Sequence, residues 1–232
     1  MLWDVSVQKT FQSANRRFDI NLAFQSDAKR LVLFGPSGAG KTQLLKMLAG
    51  LTTPDSGHIR FNHVDLFHSS ERICQTPQER LLAYVFQAYA LFPHLTVRQN
   101  ISFSLSKSWL NPSRRFVHAE VNNWLDKFQL NALADQYPHQ LSGGQSQRVA
   151  LARALVMQPK AILLDEPFSA LDENLRQSLR QELSEVQALM SIPMILISHN
   201  PDDVKSFGDD IIEIAHGQQV SQASRFALYS VD

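Results

Sequence analysis

Between Gly35 and Thr42 the chain reads Gly-Pro-Ser-Gly-Ala-Gly-Lys-Thr, directly after the apolar run Leu31-Val32-Leu33-Phe34. A strand, a glycine-rich turn and the first turn of a helix in this order can cradle the phosphates of a nucleotide. Gly35, Gly38 and Gly40 let the backbone bend so that N–H groups converge at the positive end of a helix dipole. Pro36, Ser37 and Ala39 complete the loop. Lys41 supplies a point charge for the β- and γ-phosphates, and the Thr42 hydroxyl suits Mg²⁺. The competing reading is a tight strand-to-helix turn with a surface lysine. The strand before and the helix after both favour the phosphate loop.

A second constellation lies at Ile162-Leu163-Leu164-Asp165-Glu166-Pro167. It puts two carboxylates at the C-terminal end of a buried strand, the edge outside which open α/β sheets bind their ligands. Asp165 is placed to hold Mg²⁺ near the phosphates. Glu166 points elsewhere and is suited to orient or deprotonate a water attacking the γ-phosphate. Taken alone, the pair reads equally well as a solvated strand end. Leu141-Ser142-Gly143-Gly144-Gln145 opens a further helix, Ser146 to Met157, with Ser142 as N-cap, and exposes another set of N–H groups. One ATP does not need two γ-phosphate sites, so this cluster is expected to complete the site of a second copy.

These groups need a scaffold. Phe18, Ile20, Leu22 and Phe24 alternate with polar or small residues, which predicts a half-buried strand, with Leu2 to Val7 as a weaker partner. The loop helix is expected over Thr42 to Ala49, stopped by Gly50. Pro54 to Gly57 reads as a turn and Leu81 to Phe86 as a strand. From about Ala88 to Gln140 the spacing becomes helical (Val117, Val121, Trp124, Leu125, Phe128), broken by Pro93, Pro112 and Pro138, which predicts an inserted helical lobe. Ala161 to Leu164 and Met194 to Ile197 flank a helix with an apolar face of Leu175, Leu179, Leu183, Val186 and Leu189. That order predicts parallel strands covered on both faces. Ile211 to Ile214 and Gln219 to Val220 suggest a hairpin around Gly217.

Composition narrows the function. The 232 residues are 44% hydrophobic, and 22 basic residues balance 22 acidic ones. A net charge of zero disfavours nucleic acid as the main ligand. The one cysteine, Cys74, fits a reducing compartment and a structural role. The N-terminus carries no signal-peptide pattern, and no apolar run approaches the roughly 18 residues of a membrane span. His58, His63 and His68 lack metal-ligand spacing and read as surface residues, as do Lys9, Arg16 and Arg17.

The phosphate loop, Gln87, Leu-Ser-Gly-Gly-Gln, Asp-Glu-Pro, Ser169-Ala170-Leu171-Asp172 and His199 occur in the order found in the ATP-binding cassette (ABC) ATPases, which the chain resembles over nearly its whole length. The resemblance implies an α/β P-loop NTPase (RecA-like) core, with an N-terminal antiparallel β-subdomain and an inserted α-helical subdomain. One domain over 1–232 is expected, with the core at 1–87 and 141–232 and the lobe at about 88–140. By position, Gly35 to Thr42 would bind phosphates and Mg²⁺, and Gln87 would sense γ-phosphate and metal. Ser142 to Gln145 would close over the partner's nucleotide. Asp165 would support Mg²⁺, Glu166 would be the general base, Asp172 would lie at a dimer interface, and His199 would contact the γ-phosphate. An aromatic of the N-terminal sheet would stack on adenine; Phe11 is the choice and Phe18 the rival. Alone, His199 would read as a connector, followed by a helix start at Asn200-Pro201-Asp202-Asp203. The family usually has Asp where Asn200 stands.

Gln87-Ala88-Tyr89-Ala90-Leu91-Phe92-Pro93-His94-Leu95-Thr96-Val97 resembles ATPases of binding-protein-dependent importers. There this region forms the groove for a coupling helix of the transmembrane permease, and Tyr89, Leu91 and Phe92 would supply exposed apolar surface. Ile73 to Pro77 and Ile192 to Met194 look like molybdate importer ATPases, while sulfate, iron, sugar or amino-acid import remains open, as does a soluble ABC-type ATPase. The resemblance implies ATP and Mg²⁺ as cofactors and a second ATPase subunit as partner. It also implies an indirect extracytoplasmic solute-binding protein and a place on the cytoplasmic face of the membrane. Importers of this branch often bear a C-terminal regulatory domain, which this chain is expected to lack because it ends soon after the last hairpin.

Overall fold

The computed structural model describes residues 1–13, 16–106, 111–113, 118–169 and 173–224. Two antiparallel strands, β1 (Trp3–Ser13) and β2 (Arg16–Ser26), open the chain, with Phe11 opposite Phe18. In β1, Trp3, Val5 and Val7 are buried and alternate with polar residues; Ile20, Leu22 and Phe24 do the same in β2. β1 therefore runs well past the expected Leu2–Val7.

The phosphate-loop strand β3 (Arg30–Phe34) leads to α1 (Lys41–Leu48). Three short strands follow: β4 (Ser56–Phe61), β5 (Val64–His68) and β6 (Ile73–Cys74). The sequence reading left these unassigned because each is short and mixes polar and apolar residues. Gly57, taken for a turn residue, is inside β4. A Cβ there would lie 1.9 Å from the Ser6 carbonyl oxygen, so only glycine lets β4 approach β1. Cys74 is a free, exposed thiol on β6.

A one-turn helix, α2 (Pro77–Arg80), precedes β7 (Leu82–Val85). Then come α3 (Val97–Ser102), α4 (Ala119–Lys127) and α5 (Gly143–Leu155). Val121, Trp124 and Leu125 of α4 are buried with Phe128, as their helical spacing predicts, whereas Val117 lies outside the described residues. The remaining elements are β8 (Ala161–Asp165), α6 (Glu173–Met190), β9 (Met194–Ser198), α7 (Pro201–Phe207), β10 (Asp210–Ala215) and β11 (Gln218–Ser224).

The strands join in one eleven-stranded sheet of order β6-β5-β4-β1-β2-β11-β10-β3-β9-β8-β7. Strands β10, β3, β9, β8 and β7 are mutually parallel, and β1, β2, β4, β5 and β6 pair antiparallel. Alternation splits the parallel strands between two cores. Val32, Ile162, Leu164 and Leu196 face the cluster made with α3, α4, α5 and α6. Leu31, Leu33, Leu163, Ile195 and Ile197 face α1 and the antiparallel strands. Burial on both faces explains why these strands are almost wholly apolar. Of the expected α6 face, Leu179 and Leu183 are buried and Val186 packs against them. The side chains of Leu175 and Leu189 fall outside the description. Parallel register sets Phe34 beside Ser198 and Asp165 beside Ile197, so three strand ends deliver their following residues to one edge.

Candidate active site

The turn after β3 has the shape its glycines require. Gly35 adopts φ 147°, and a Cβ there would meet the Ile214 carbonyl oxygen at 2.0 Å. Gly40, at φ 102°, is the N-cap of α1 and offers no side-chain cap, so the first N–H groups of α1 remain available to an anion. Pro36, Ser37 and Gly38 are exposed at the crest, and Ala39 is buried beneath it. Lys41 is 4% exposed and folds back under the loop, where its Nζ donates to Gly35 O at 2.7 Å and Pro36 O at 2.8 Å. Burial pulls this ammonium below its ordinary pKa, while Glu166 and Asp165 nearby act in the opposite sense.

Thr42 and Asp165 meet as their spacing in sequence could only suggest. Thr42 Oγ1 donates to Asp165 Oδ1 at 2.8 Å, which keeps the hydroxyl lone pairs free to face a cation. The other carboxylate oxygen, Oδ2, accepts a 2.8 Å hydrogen bond from the Tyr84 hydroxyl. Burial and the adjacent carboxylate push the Tyr84 phenol far above its ordinary pKa, so it stays a donor. Among the described residues no group of three or more His, Cys, Asp or Glu side chains could hold a metal. One hydroxyl and one carboxylate nonetheless fit Mg²⁺, a hard cation that takes most of its oxygens from phosphate and water.

Glu166 departs from the strand direction because its backbone is left-handed, φ 45°. That turn swings its carboxylate away from Asp165 and between two other groups. Gln87 Nε2 lies 3.4 Å from Glu166 Oε2 and also donates to Ser169 Oγ at 3.1 Å. His199 Nδ1 stands 3.6 Å from the same Glu166 oxygen. Gln87, Glu166 and His199, far apart in the chain, are thus brought together beside the phosphate loop. Glu166, Ser198 and His199 line a cavity of about 300 Å³.

The turn carrying His199 is anchored from beneath. Asn200 caps α7 by accepting from Asp202 N, and Pro201 takes the first helical position, as predicted. Asn200 N donates to Ser198 Oγ at 2.9 Å, and Ser198 Oγ donates to Asp203 Oδ2 at 2.5 Å. Arg180 Nε closes the chain at 2.6 Å from Asp203 Oδ1. Sequence reasoning missed Tyr84, Arg180 and Asp203. The alternation of β7 could have flagged a buried tyrosine; nothing local pairs residues 180 and 203.

Other expectations fare unevenly. Ser142 caps α5 through a reciprocal capping box with Gln145, with Ser142 and Gly143 exposed and Gly144 buried. Among the described residues no hydrogen bond joins this segment to the Gly35–Thr42 loop. Asp172 lies outside the described residues. Phe18 borders the phosphate loop: its ring edge comes within 3.3 Å of a Cβ placed on Gly40. Tyr89, expected to be exposed, is buried, and its hydroxyl lies 3.5 Å from Gln147 Oε1. Leu91 is half-buried against the same core. Phe92 does line an apolar groove of about 620 Å³ along the β7 edge, shared with Leu81, Tyr84, Phe86, Phe103 and Met157. Lys9 pairs with Asp55 at 2.6 Å, and His58 stacks on His68 beside Asp4, so neither is simply solvated.

Comparison with known proteins places this geometry. The ABC transporter family profile matches residues 18–169. The sulfate/thiosulfate import ATP-binding protein CysA of Pseudomonas aeruginosa is 41% identical over 214 residues, covering 91% of this chain and 63% of that protein. CysA of Neisseria meningitidis serogroup B is 41% identical over 230 residues, covering 95% and 62%. The chain therefore spans about three-fifths of the length of these relatives. Among solved structures, the dimeric post-hydrolysis state of the ATP-binding cassette MJ0796 bound to ADP and Pi superposes with a TM-score of 0.78 at 26% identity. It covers 97% of this chain and 98% of that one.

Proposed function

The chain belongs to the ABC transporter family, and from that premise we propose that it binds and hydrolyses ATP to power an importer. The observation that carries this reading is the convergence of Lys41, Thr42, Asp165, Gln87, Glu166 and His199 on one phosphate loop. In the proposed cycle Lys41 leaves the carbonyls of Gly35 and Pro36 for phosphate oxygens. Thr42, with Asp165 holding its proton, and Gln87 are the residues that would hold Mg²⁺, which neutralises phosphate charge when bound. Glu166 takes the proton of the attacking water, and His199 donates to the γ-phosphate. The protein's contribution is positioning and charge stabilisation rather than covalent chemistry.

Phe18 is our choice for the adenine platform, in place of Phe11, because its ring borders Gly40. We read residues 88–140 as the inserted lobe. The Ser142–Gln145 segment, which among the described residues makes no hydrogen bond to this chain's own loop, would close over nucleotide held by a second ATPase subunit, with Asp172 at that interface. The dimeric MJ0796 cassettes support a two-subunit arrangement. The groove along β7 is proposed to receive the permease. Among the described residues no helix is long and apolar enough to cross a membrane, so attachment at the cytoplasmic face would run through that partner.

For cargo we favour a tetrahedral oxyanion of the sulfate class, delivered by an extracytoplasmic binding protein. The relatives quoted above are named for sulfate and thiosulfate rather than for molybdate. The test is direct. Purified protein should release phosphate from ATP with Mg²⁺, and tagged protein should retain a permease when extracted from membranes. No turnover refutes the enzyme assignment. An active ATPase that retains no permease when extracted from membranes refutes the transport assignment.

A further inference from the structure

We infer that Tyr84 is a positioning residue of the cation site, holding Asp165 in its working rotamer and tying that site to the apolar groove. Asp165 is 4% exposed, and both of its oxygens are accounted for, Oδ1 by Thr42 and Oδ2 by Tyr84. A carboxylate held at two corners cannot rotate about its terminal torsion without breaking one charge-assisted hydrogen bond. The Thr42 hydroxyl is in turn aimed by Oδ1. Removing the Tyr84 bond frees Asp165 to turn, and Thr42 loses its fixed acceptor.

The reach follows from the sheet. Tyr84 is in register with Leu163 on the neighbouring parallel strand, and Asp165 lies two residues further along that strand on the same face. The ring therefore runs diagonally under the phosphate loop's helix, packed against the α1-side core. Its other flank meets Phe86, with ring centroids 4.5 Å apart, and both rings line the groove. Phe86 is among the exposed apolar side chains. A partner pressing on Phe86 thus touches a ring whose hydroxyl ends on the carboxylate of the cation site. Gln87, the next residue, meets Glu166 rather than Asp165.

The inference rests on the reading that the site takes ATP with a divalent cation, and the experiment separates the two. Mn²⁺ replaces Mg²⁺, and its affinity for the protein saturated with a non-hydrolysable ATP analogue is read by electron paramagnetic resonance. Affinity for a fluorescent ATP analogue is read separately in EDTA. Tyr84→Phe is expected to weaken Mn²⁺ about tenfold while metal-free nucleotide affinity stays within about twofold. Phe86→Ala, which removes the ring contact only, is expected to weaken Mn²⁺ about threefold. Unchanged Mn²⁺ affinity in a folded Tyr84→Phe protein overturns the role. Equal loss of both affinities also overturns it, because that is what general destabilisation produces. Unchanged Mn²⁺ affinity in Phe86→Ala overturns the link to the groove. Tyr84→Met, which removes the donor with a flexible apolar chain, gives the same comparison if the phenylalanine variant does not fold. Failure of the unsubstituted protein to bind nucleotide at all sinks the underlying reading instead.

Discussion

Replacing Arg180 by methionine strips the guanidinium from a carboxylate that water scarcely reaches. The side chains of Arg180 and Asp203 are 10% and 5% exposed, and Nε stands 2.6 Å from Oδ1. Without the arginine, the side-chain partner left to Asp203 among the described residues is the neutral Ser198 hydroxyl. Breaking a buried pair from one side costs about 3–5 kcal/mol, because the remaining charge is left uncompensated. For a chain of this size each kcal/mol moves Tm by about 2–4 °C, so a fall of roughly 6–20 °C is expected in thermal unfolding followed by circular dichroism. Glu173→Gln removes the other acidic partner of the same arginine, at 3.3 Å and 66% exposed. An exposed pair contributes about 0–1 kcal/mol, so Tm should move by only about 0–4 °C. The double replacement Arg180→Met with Asp203→Leu should recover much of the loss, since among the described residues Arg180 Nη2 has no hydrogen-bond partner and the pair is imperfect. Below Tm, the single variant should also lose turnover, because Ser198 and Asn200 flank His199 and hang from Asp203. A Tm unchanged within about 2 °C would refute the reasoning, since an uncompensated buried charge leaves no room for so small an effect at a site this dry.

Glu166→Gln keeps the position but cannot take a proton; it should bind ATP normally, lose about 10²–10⁴-fold in turnover, and run as a nucleotide-bound dimer in size exclusion. Turnover within about tenfold of the parent would remove Glu166 as the base. Lys41→Ala should weaken ATP binding by at least about tenfold in a fluorescent-nucleotide titration, the worth of one charge-assisted hydrogen bond to phosphate; an unchanged affinity would take the lysine out of the site. The Lys9 ammonium and the Thr10 N–H hold the Asp55 carboxyl below its ordinary value of 3.8. Its stabilising contribution is therefore complete above that value and is lost as pH falls through the lowered folded-state pKa. Asp55→Asn should flatten the acid limb of a Tm-versus-pH curve below about pH 4 and leave the curve's shape at neutral pH unaltered; an unchanged acid limb would count against the pairing.

Legibility in the sequence followed the range of the interaction. The phosphate loop is written in consecutive residues, since a strand, three glycines and a helix start are all local. The parallel strands were equally readable, because burial on both faces leaves a continuous apolar run such as Ile162–Leu164 that polar loops cannot imitate. β4, β5 and β6 escaped because each is short and takes its place from hydrogen bonding to β1 rather than from its own periodicity. Gly57 looked like turn chemistry, but its reason is the carbonyl of Ser6, fifty-one positions earlier in the chain.

The site divides along the same line. Asp165 and Glu166 are adjacent, yet their roles separate only because Glu166 adopts a left-handed φ of 45°, a backbone state that no side-chain pattern announces. Tyr89 was misjudged for the opposite reason. It reads as one of several aromatics in a loop, whereas packing against α5 buries it and leaves Phe92 and Phe86 to form the groove wall. Phe11 and Phe18 are cross-strand neighbours, and the strand alternation makes Phe18 read as core; what alternation does not show is the approach of Gly40 to the Phe18 ring. Each missed residue is therefore one whose role depends on a contact between elements far apart in the chain, and each supports a group that the sequence had already identified. Arg180 and Asp203 hold the turn of His199, and Tyr84 holds Asp165. The reacting groups are local signals. The residues that aim them become visible only when the strand ends are brought together.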